Sequence, residues 1–220
     1  MQALIKKDLY TQQKMVYLFS LFWFIPITGF FTDGSPIRHV LLITFTSFTL
    51  VLYSNFNTTT SEEMQSRFIN SLPVTRKQVV LGKYATGIIW YLPMALLVTI
   101  YVVLFNLFAP FPSRLIHLPE YIIALTIMYL LLSIFYPLLF SVGYKVASVL
   151  VGVIIPVTLL IGNQMIVNLT ENPKFPEVKE FVASLAEKQW MIAGFLTLAT
   201  LIISVISYQV SVKIYTKKDL

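Results

Sequence analysis

There is no cysteine in this chain of 220 residues. Disulfides and thiol chemistry are therefore excluded within it, and nothing further about compartment follows. Charge is scarce as well: Asp, Glu, Lys and Arg make up 12% of the residues, about half the share of an ordinary soluble domain. With 57% hydrophobic residues and a mean hydropathy of +0.77, that shortage argues against a water-soluble globular class. Histidine occurs twice, at His39 and His117, each at the end of an apolar stretch and each expected at an interface. With no HExxH pattern and no paired acidic residues inside an apolar run, intramembrane hydrolysis lacks its groups, and no metal site is expected.

Two further absences concern energy. The stretch "LGKY" at 81–84 resembles the end of a phosphate-cradling loop, but such a loop needs Gly at 77 and Ser or Thr at 84, where this chain has Lys77 and Tyr84. If ATP is used, another polypeptide must bind it. A proton- or ion-coupled carrier places a titratable group inside the membrane, and no Asp, Glu, Lys, Arg or His falls in the middle of an apolar run. Nor is there a repeated charged ring or a glycine-rich filter of the kind that lines ion pores.

What is present is a set of six runs free of Asp, Glu, Lys and Arg: 15–32, 40–61, 84–113, 121–144, 146–170 and 189–212. A hydrocarbon core of about 30 Å takes about 20 helical residues, so each run can supply one span. Spanning helices are expected near 15–31, 39–55, 85–108, 121–141, 147–168 and 190–212. The short first run and the thin break "GYKVA" leave five or seven open. Lys6, Lys7 and Lys14 precede the first run as in a signal peptide, but no small-residue cleavage site follows, so the run is read as a retained span.

Lys and Arg divide unequally between alternate sides. The N-terminus, the 55–84 loop, Lys145 and the tail carry 11, against 5 on the other side (Arg38, Arg114, Lys174, Lys179 and Lys188). Both termini and the 55–84 loop are therefore expected in the cytoplasm. The net charge of +6 is a topology signal and is not read as nucleic-acid binding.

The longest cytoplasmic interruption is "TSEEMQSRFINSLPVTRKQVVLGKY", Thr60 to Tyr84. Thr60 and Glu63 fit a capping box that starts a helix, and Pro73 ends it. Met64, Phe68 and Leu72 fall on one side of this helix, Glu63, Arg67 and Asn70 on the other. Such a helix can rest on lipid headgroups with Arg76, Lys77 and Lys83 near phosphates, or dock into a protein groove. The N-terminal "MQALIKKDLY" places Leu4, Ile5 and Leu9 on one face of a second amphipathic piece on the same side. On the opposite side, Val178, Phe181, Val182 and Leu185 recur at helical spacing within the 169–189 loop, and an outer amphipathic helix is expected there.

The motif "LPVTRKQVVLGKY" after an acidic-capped helix, the N-terminal "ALIKKDLY" and the six-span plan together resemble the permease subunits of ABC-2 type (type V) ABC exporters. More narrowly they resemble the compact bacterial permeases of peptide exporters of the phenol-soluble-modulin kind. The resemblance implies an all-α membrane protein of one permease domain, 1–220. Its parts would be a connecting helix at 1–14, a coupling helix in the cytoplasmic 60–84 loop between spans 2 and 3, and an extracellular helix in the 169–189 loop between spans 5 and 6.

It also implies partners. These are a cytoplasmic ABC ATPase subunit, which would hold the ATP and Mg that this chain does not, and a second permease, either a copy or a paralogue. The coupling role would fall on Glu62, Glu63, Met64, Arg67, Phe68, Leu72, Pro73 and Val74. Thr44, Phe48, Tyr53, Thr158 and Gln164 would line the path, by analogy with the central position of spans 2 and 5. A conduit of aromatic, Met and hydroxyl side chains suits an amphipathic or lipid-like substrate, an amphipathic peptide or another hydrophobic or amphipathic compound, better than a sugar or an ion. The resemblance thus implies ATP-driven export across a bacterial cell membrane by a multi-pass chain without its own ATPase site. The alternative is a membrane accessory or immunity protein that binds a peptide or partner and transports nothing.

Overall fold

The computed structural model describes residues 14–21, 36–54, 74–108, 114–172 and 188–217, with Pro176, Glu177, Glu180 and Ser184 between the last two segments. Among these residues there are helices and no strand, as expected where the backbone must satisfy its own polar groups in lipid. In chain order the helices are α1 (Lys14–Leu21), α2 (Pro36–Ser54), α3 (Arg76–Phe108), α4 (Leu118–Val142), α5 (Tyr144–Val149), a π-helical turn (Leu150–Ile154), α6 (Ile155–Glu171) and α7 (Gln189–Lys217).

Among the described residues, five stretches are long and apolar enough to cross a membrane: Ile37–Ser54, Arg76–Phe108, Leu118–Val142, Tyr144–Gly162 and Gln189–Lys217. They correspond to the second to sixth expected spans. Only α1 represents the first, and the rest of 15–31 lies outside the described residues. The connecting helix expected over 1–14 lies outside them too, Lys14 excepted, as does the coupling helix expected after Thr60. Most of the outer helix expected within 169–189 also does.

Two boundaries differ from the sequence reading. The third span was expected from residue 85, but α3 begins at Arg76. Its 33 residues run for about 50 Å at 1.5 Å each, about 20 Å more than the hydrocarbon core is thick. The break "GYKVA" shrinks to Gly143 alone. With φ 90° this residue occupies backbone space that side chains disfavour, its N–H donates to Leu139 O at 3.2 Å, and its carbonyl accepts from Ala147 N. One glycine thus ends α4 and starts α5. The π turn then widens the helix so that Ile155 N–H reaches Leu150 O, and Pro156, which has no N–H to donate, follows in the first turn of α6.

Packing is uneven. The α2 span is 83% buried, whereas Tyr144–Gly162 and α7 are each 17% buried, so α2 is the centre and those two carry the open faces. Leu42, Ile43, Phe45, Phe48, Leu50 and Val51 of α2 are all but completely enclosed. Among the described residues the most extensive helix–helix packing is between α4 and α7. Ala193, Thr197, Thr200, Ser204, Ser207 and Ser211 recur along α7 at alternating steps of four and three, which puts them on one seam. Small residues let the backbones approach, and the hydroxyls bond across: Ser204 with Ser133 at 3.1 Å, and Ser207 Oγ to Ser133 O at 2.6 Å.

Candidate functional site

Both ends of the bundle carry polar arrangements, and they differ in kind. At the first, α3 starts on a capping box. Thr75 N–H donates to Gln78 Oε1 at 3.0 Å, and Gln78 N–H donates to Thr75 Oγ1 at 3.3 Å, satisfying two donors that a helix start leaves open. Arg76 is the first residue of this helix. Its Nη1 donates to the carbonyl oxygens of Tyr215 and Thr216, each at 2.9 Å, and its guanidinium lies 5.8 Å from the Tyr215 ring centroid. A cation on the final carbonyls of a helix sits at the negative end of its dipole, so Arg76 both caps α7 and ties it to α3.

The tie continues inward through aromatic side chains. The Tyr215 ring packs on Phe140 with centroids 5.0 Å apart, and Tyr84 packs on Tyr136 at 4.6 Å. The Tyr84 hydroxyl bonds Ser207 Oγ at 2.6 Å, while Tyr136 and Tyr129 donate to the α3 carbonyls of Lys83 and Tyr84. Burying a tyrosine in lipid requires a partner for its hydroxyl, and here every such partner lies on a neighbouring helix. The first three turns of α3 are thereby joined to α4 and α7.

At the opposite end Glu120, 1% exposed, accepts from Arg114 Nη2 through Oε1, and its Oε2 lies 2.9 Å from Nδ1 of His39, which is 2% exposed. Arg38, also buried, places its guanidinium 5.5 Å from the Phe105 ring centroid. The starts of α2 and α4 thus meet at one carboxylate, and Arg38 links the start of α2 to the end of α3. A buried carboxylate is tolerable because two donors hold it. His39 was expected to be a plain interfacial residue; it is instead enclosed and bonded to Glu120. His117 is exposed.

Of the residues expected to couple the chain to an ATPase, Val74 is half-buried and packs on the core. Glu62, Glu63, Met64, Arg67, Phe68, Leu72 and Pro73 lie outside the described residues. Of those expected along a path, Thr44 is enclosed and donates to Ala124 O at 3.2 Å, and Phe48 meets Phe135 edge to face. Tyr53 packs on the same core. Thr158, exposed, bonds back to Ile154 O, and Gln164 lies half-buried on the open flank of α6. Thr44 and Phe48 thus point into this chain's interior and Thr158 points outward, so within one chain the five are not brought onto one surface.

A family described as ABC-2 family transporter protein matches residues 3–216, nearly the whole length. The chain belongs to that family. It is a multi-pass membrane protein and a permease subunit of an ABC transporter; the ABC-2 family implies a separate ABC ATPase as partner. No curated protein and no solved structure matches it in the corresponding comparisons. The 55–73 segment leads in sequence directly into the Arg76 junction. The Arg114–Glu120–His39 group had no separate signal in the sequence, since each residue falls at the edge of a different apolar run.

Proposed function

We propose that this ABC-2 permease is the membrane half of an ATP-driven exporter of amphipathic peptides in a bacterial cell membrane, as the narrower resemblance to peptide-exporter permeases suggests. In this reading both termini and the 55–84 loop face the cytoplasm, and the loop rests on the ATPase subunit. A second permease covers the open faces of Tyr144–Gly162 and α7, and the path forms between the two. Closure of the ATPase pair on ATP and Mg displaces the coupling helices, the membrane halves rock, and hydrolysis resets them.

The observation that carries this reading is the Arg76 junction. A force applied to the loop enters α3 at its capped first turn, and Arg76 passes it to the end of α7, one of the two most open spans. In this reading the path between the two permeases is lined by apolar, hydroxyl and aromatic side chains, which would suit an amphipathic cargo.

The test is ATP hydrolysis by the partner ATPase in liposomes, with and without this chain, as amphipathic helical peptides are titrated in. Turnover that depends on the chain and responds to peptide supports the exporter. Phe68→Asp is expected to prevent the ATPase from co-purifying, because an apolar anchor dominates a small interface. An ATPase that neither binds nor changes rate would move the accessory protein to the front.

A further inference from the structure

The span Tyr144–Gly162 is not one regular helix. Ile155 N–H passes over Val151 O, the acceptor that an α-helix would give it, and donates to Leu150 O. The turn Leu150–Ile154 therefore holds one residue more than an α turn. Its cause is the next residue but one. Pro156 has no N–H to offer Gly152 O, and in α geometry its ring would strike that carbonyl. Widening the turn draws the two apart.

The chain is held differently on the two sides of this turn. On the α5 side Ala147 and Val151 are fully enclosed, and the turn itself packs on α2 and α4. Gly152 lets it lie against α2, where a Cβ would come within 2.7 Å of Leu52 Cδ1. On the α6 side Ile155 and Leu160 pack on the core, while Val157, Leu159, Ile161 and Met165 are each more than 40% exposed. Thr158 Oγ1 bonds Ile154 O at 2.8 Å, which holds the first turn of α6 together.

Returning Ile155 N–H to Val151 O exchanges one hydrogen bond for another and turns everything beyond it by about 100°, the advance of one residue in an α-helix. Each residue of α6 then takes the bearing that its successor holds now. Leu159 replaces Leu160 on the core and position 163 replaces Gln164, while Leu160 and Gln164 move to the open bearings of Ile161 and Met165. The sequence suits both arrangements, because the doublets Leu159-Leu160, Asn163-Gln164 and Ile166-Val167 supply a residue of like kind at each exchanged position.

We propose that the Leu150–Ile154 turn is a rotary joint, about which α6 turns by one residue between a π-bonded and an α-bonded register while α5 stays docked. The joint changes which side chains this span presents on its open flank without moving the rest of the bundle. It does not depend on what the permease carries or in which direction.

The chain has no cysteine, so Leu159→Cys or Leu160→Cys in the full chain can be spin-labelled singly and read in liposomes by electron paramagnetic resonance. Both positions are expected to show a packed and a lipid-exposed component, the packed one dominant at 160 and minor at 159. Pro156→Ala removes the reason for the wide turn and is expected to shift the ratio roughly tenfold, exposing 160 and burying 159, a change well within what a proline inside a helix is worth. Deleting Val153 leaves a turn of α size with α6 in its present bearing, so the label at 160 should stay packed with or without Pro156→Ala.

Exposure that rises at both positions in Pro156→Ala would mean tilting or loosening and overturns the joint, as does an unchanged ratio in a Pro156→Ala variant that melts like wild type. A rise at 160 that persists when Val153 is deleted overturns it too. Should Pro156→Ala fail to fold, the wild-type spectra decide, and a single component at both positions counts against the joint.

Discussion

Arg76 and Tyr215, 139 residues apart, meet where the chain re-enters its third span and where its last span ends. The guanidinium bonds the Tyr215 carbonyl and faces the Tyr215 ring, so backbone and side chain of one residue are held by one cation. Arginine suits this place because its Nη1 reaches two carbonyls while its planar face lies against a ring. In an ABC-2 permease that contact joins the end of the 55–73 segment to a span with an open face.

Arg76→Ala is therefore expected to separate stability from coupling. The junction is part-exposed, so thermal stability in detergent should fall by only about 1 kcal/mol. Stimulation of the partner's ATP hydrolysis in liposomes should fall much further. Arg76→Lys should recover most of the stability and little of the stimulation, since an ammonium retains charge without the planar group that faces the Tyr215 ring. Equal loss of both properties in Arg76→Ala would reduce the contact to a structural cap.

The capping box at Thr75 and Gln78 sets where α3 begins. Thr75→Ala removes the acceptor for Gln78 N–H and is expected to cost about 1 kcal/mol. Gln78→Ala should cost less, because the Thr75 N–H it exposes can turn to water. Hydrogen exchange at residues 76–80 gives the direct reading: both variants should accelerate it while the middle of α3 is unaffected.

Glu120 is the point where α2 and α4 are pinned together. Glu120→Ala removes the bonds that His39 and Arg114 make to its carboxylate. Removing one member of a buried pair costs about 3–5 kcal/mol, and the lower end applies because Arg114 is 28% exposed and can rehydrate. Glu120→Gln keeps an acceptor of the same shape and should lose roughly half as much. Melting in detergent, with His39→Phe and Glu120→Ala combined to remove both buried polar groups, should show partial recovery of stability.

How much of this was legible in the sequence depends on the range of each interaction. Spans α2 to α7 were legible because some 20 residues without charge is a local property of composition. The start of α3 was legible in principle: "TRKQ" at 75–78 matches the capping-box pattern as well as "TSEE" at 60–63 does, but the charges at Arg76, Lys77 and Lys83 suggested a loop. They instead belong to the first turns of α3, which begins at Arg76. The α7 seam could have been found from its steps of four and three. The Glu120 group could not, because His39 and Glu120 are 81 residues apart and nothing local distinguishes either from an ordinary interfacial residue. A single chain also gives no pattern that separates residues facing a path from those facing a core, which is why Thr44 and Thr158 were grouped together although one is enclosed and the other open.

The closest approach of α3 to α4 gives the last prediction. A Cβ built on Gly87 would lie 2.9 Å from Leu132 Cδ1 and 3.3 Å from the Tyr129 hydroxyl. Leu132 is fully enclosed and Tyr129 is held by its bond to Tyr84 O, so neither has free space to retreat into. Gly87→Ala already forces the enclosed Leu132 Cδ1 to give way and should destabilise, though by less than a larger side chain. Gly87→Val must shift the helices, and overpacking of this kind typically costs about 1–3 kcal/mol. Gly194 on α7 is the matched control, because nothing lies within 4 Å of its Cβ position. Gly194→Val should be neutral in the same melting assay. A Gly87→Val variant as stable as Gly194→Val would mean that α3 can slide on α4, and the Tyr84, Tyr129 and Tyr136 bonds would then be adjustable contacts with no fixed register.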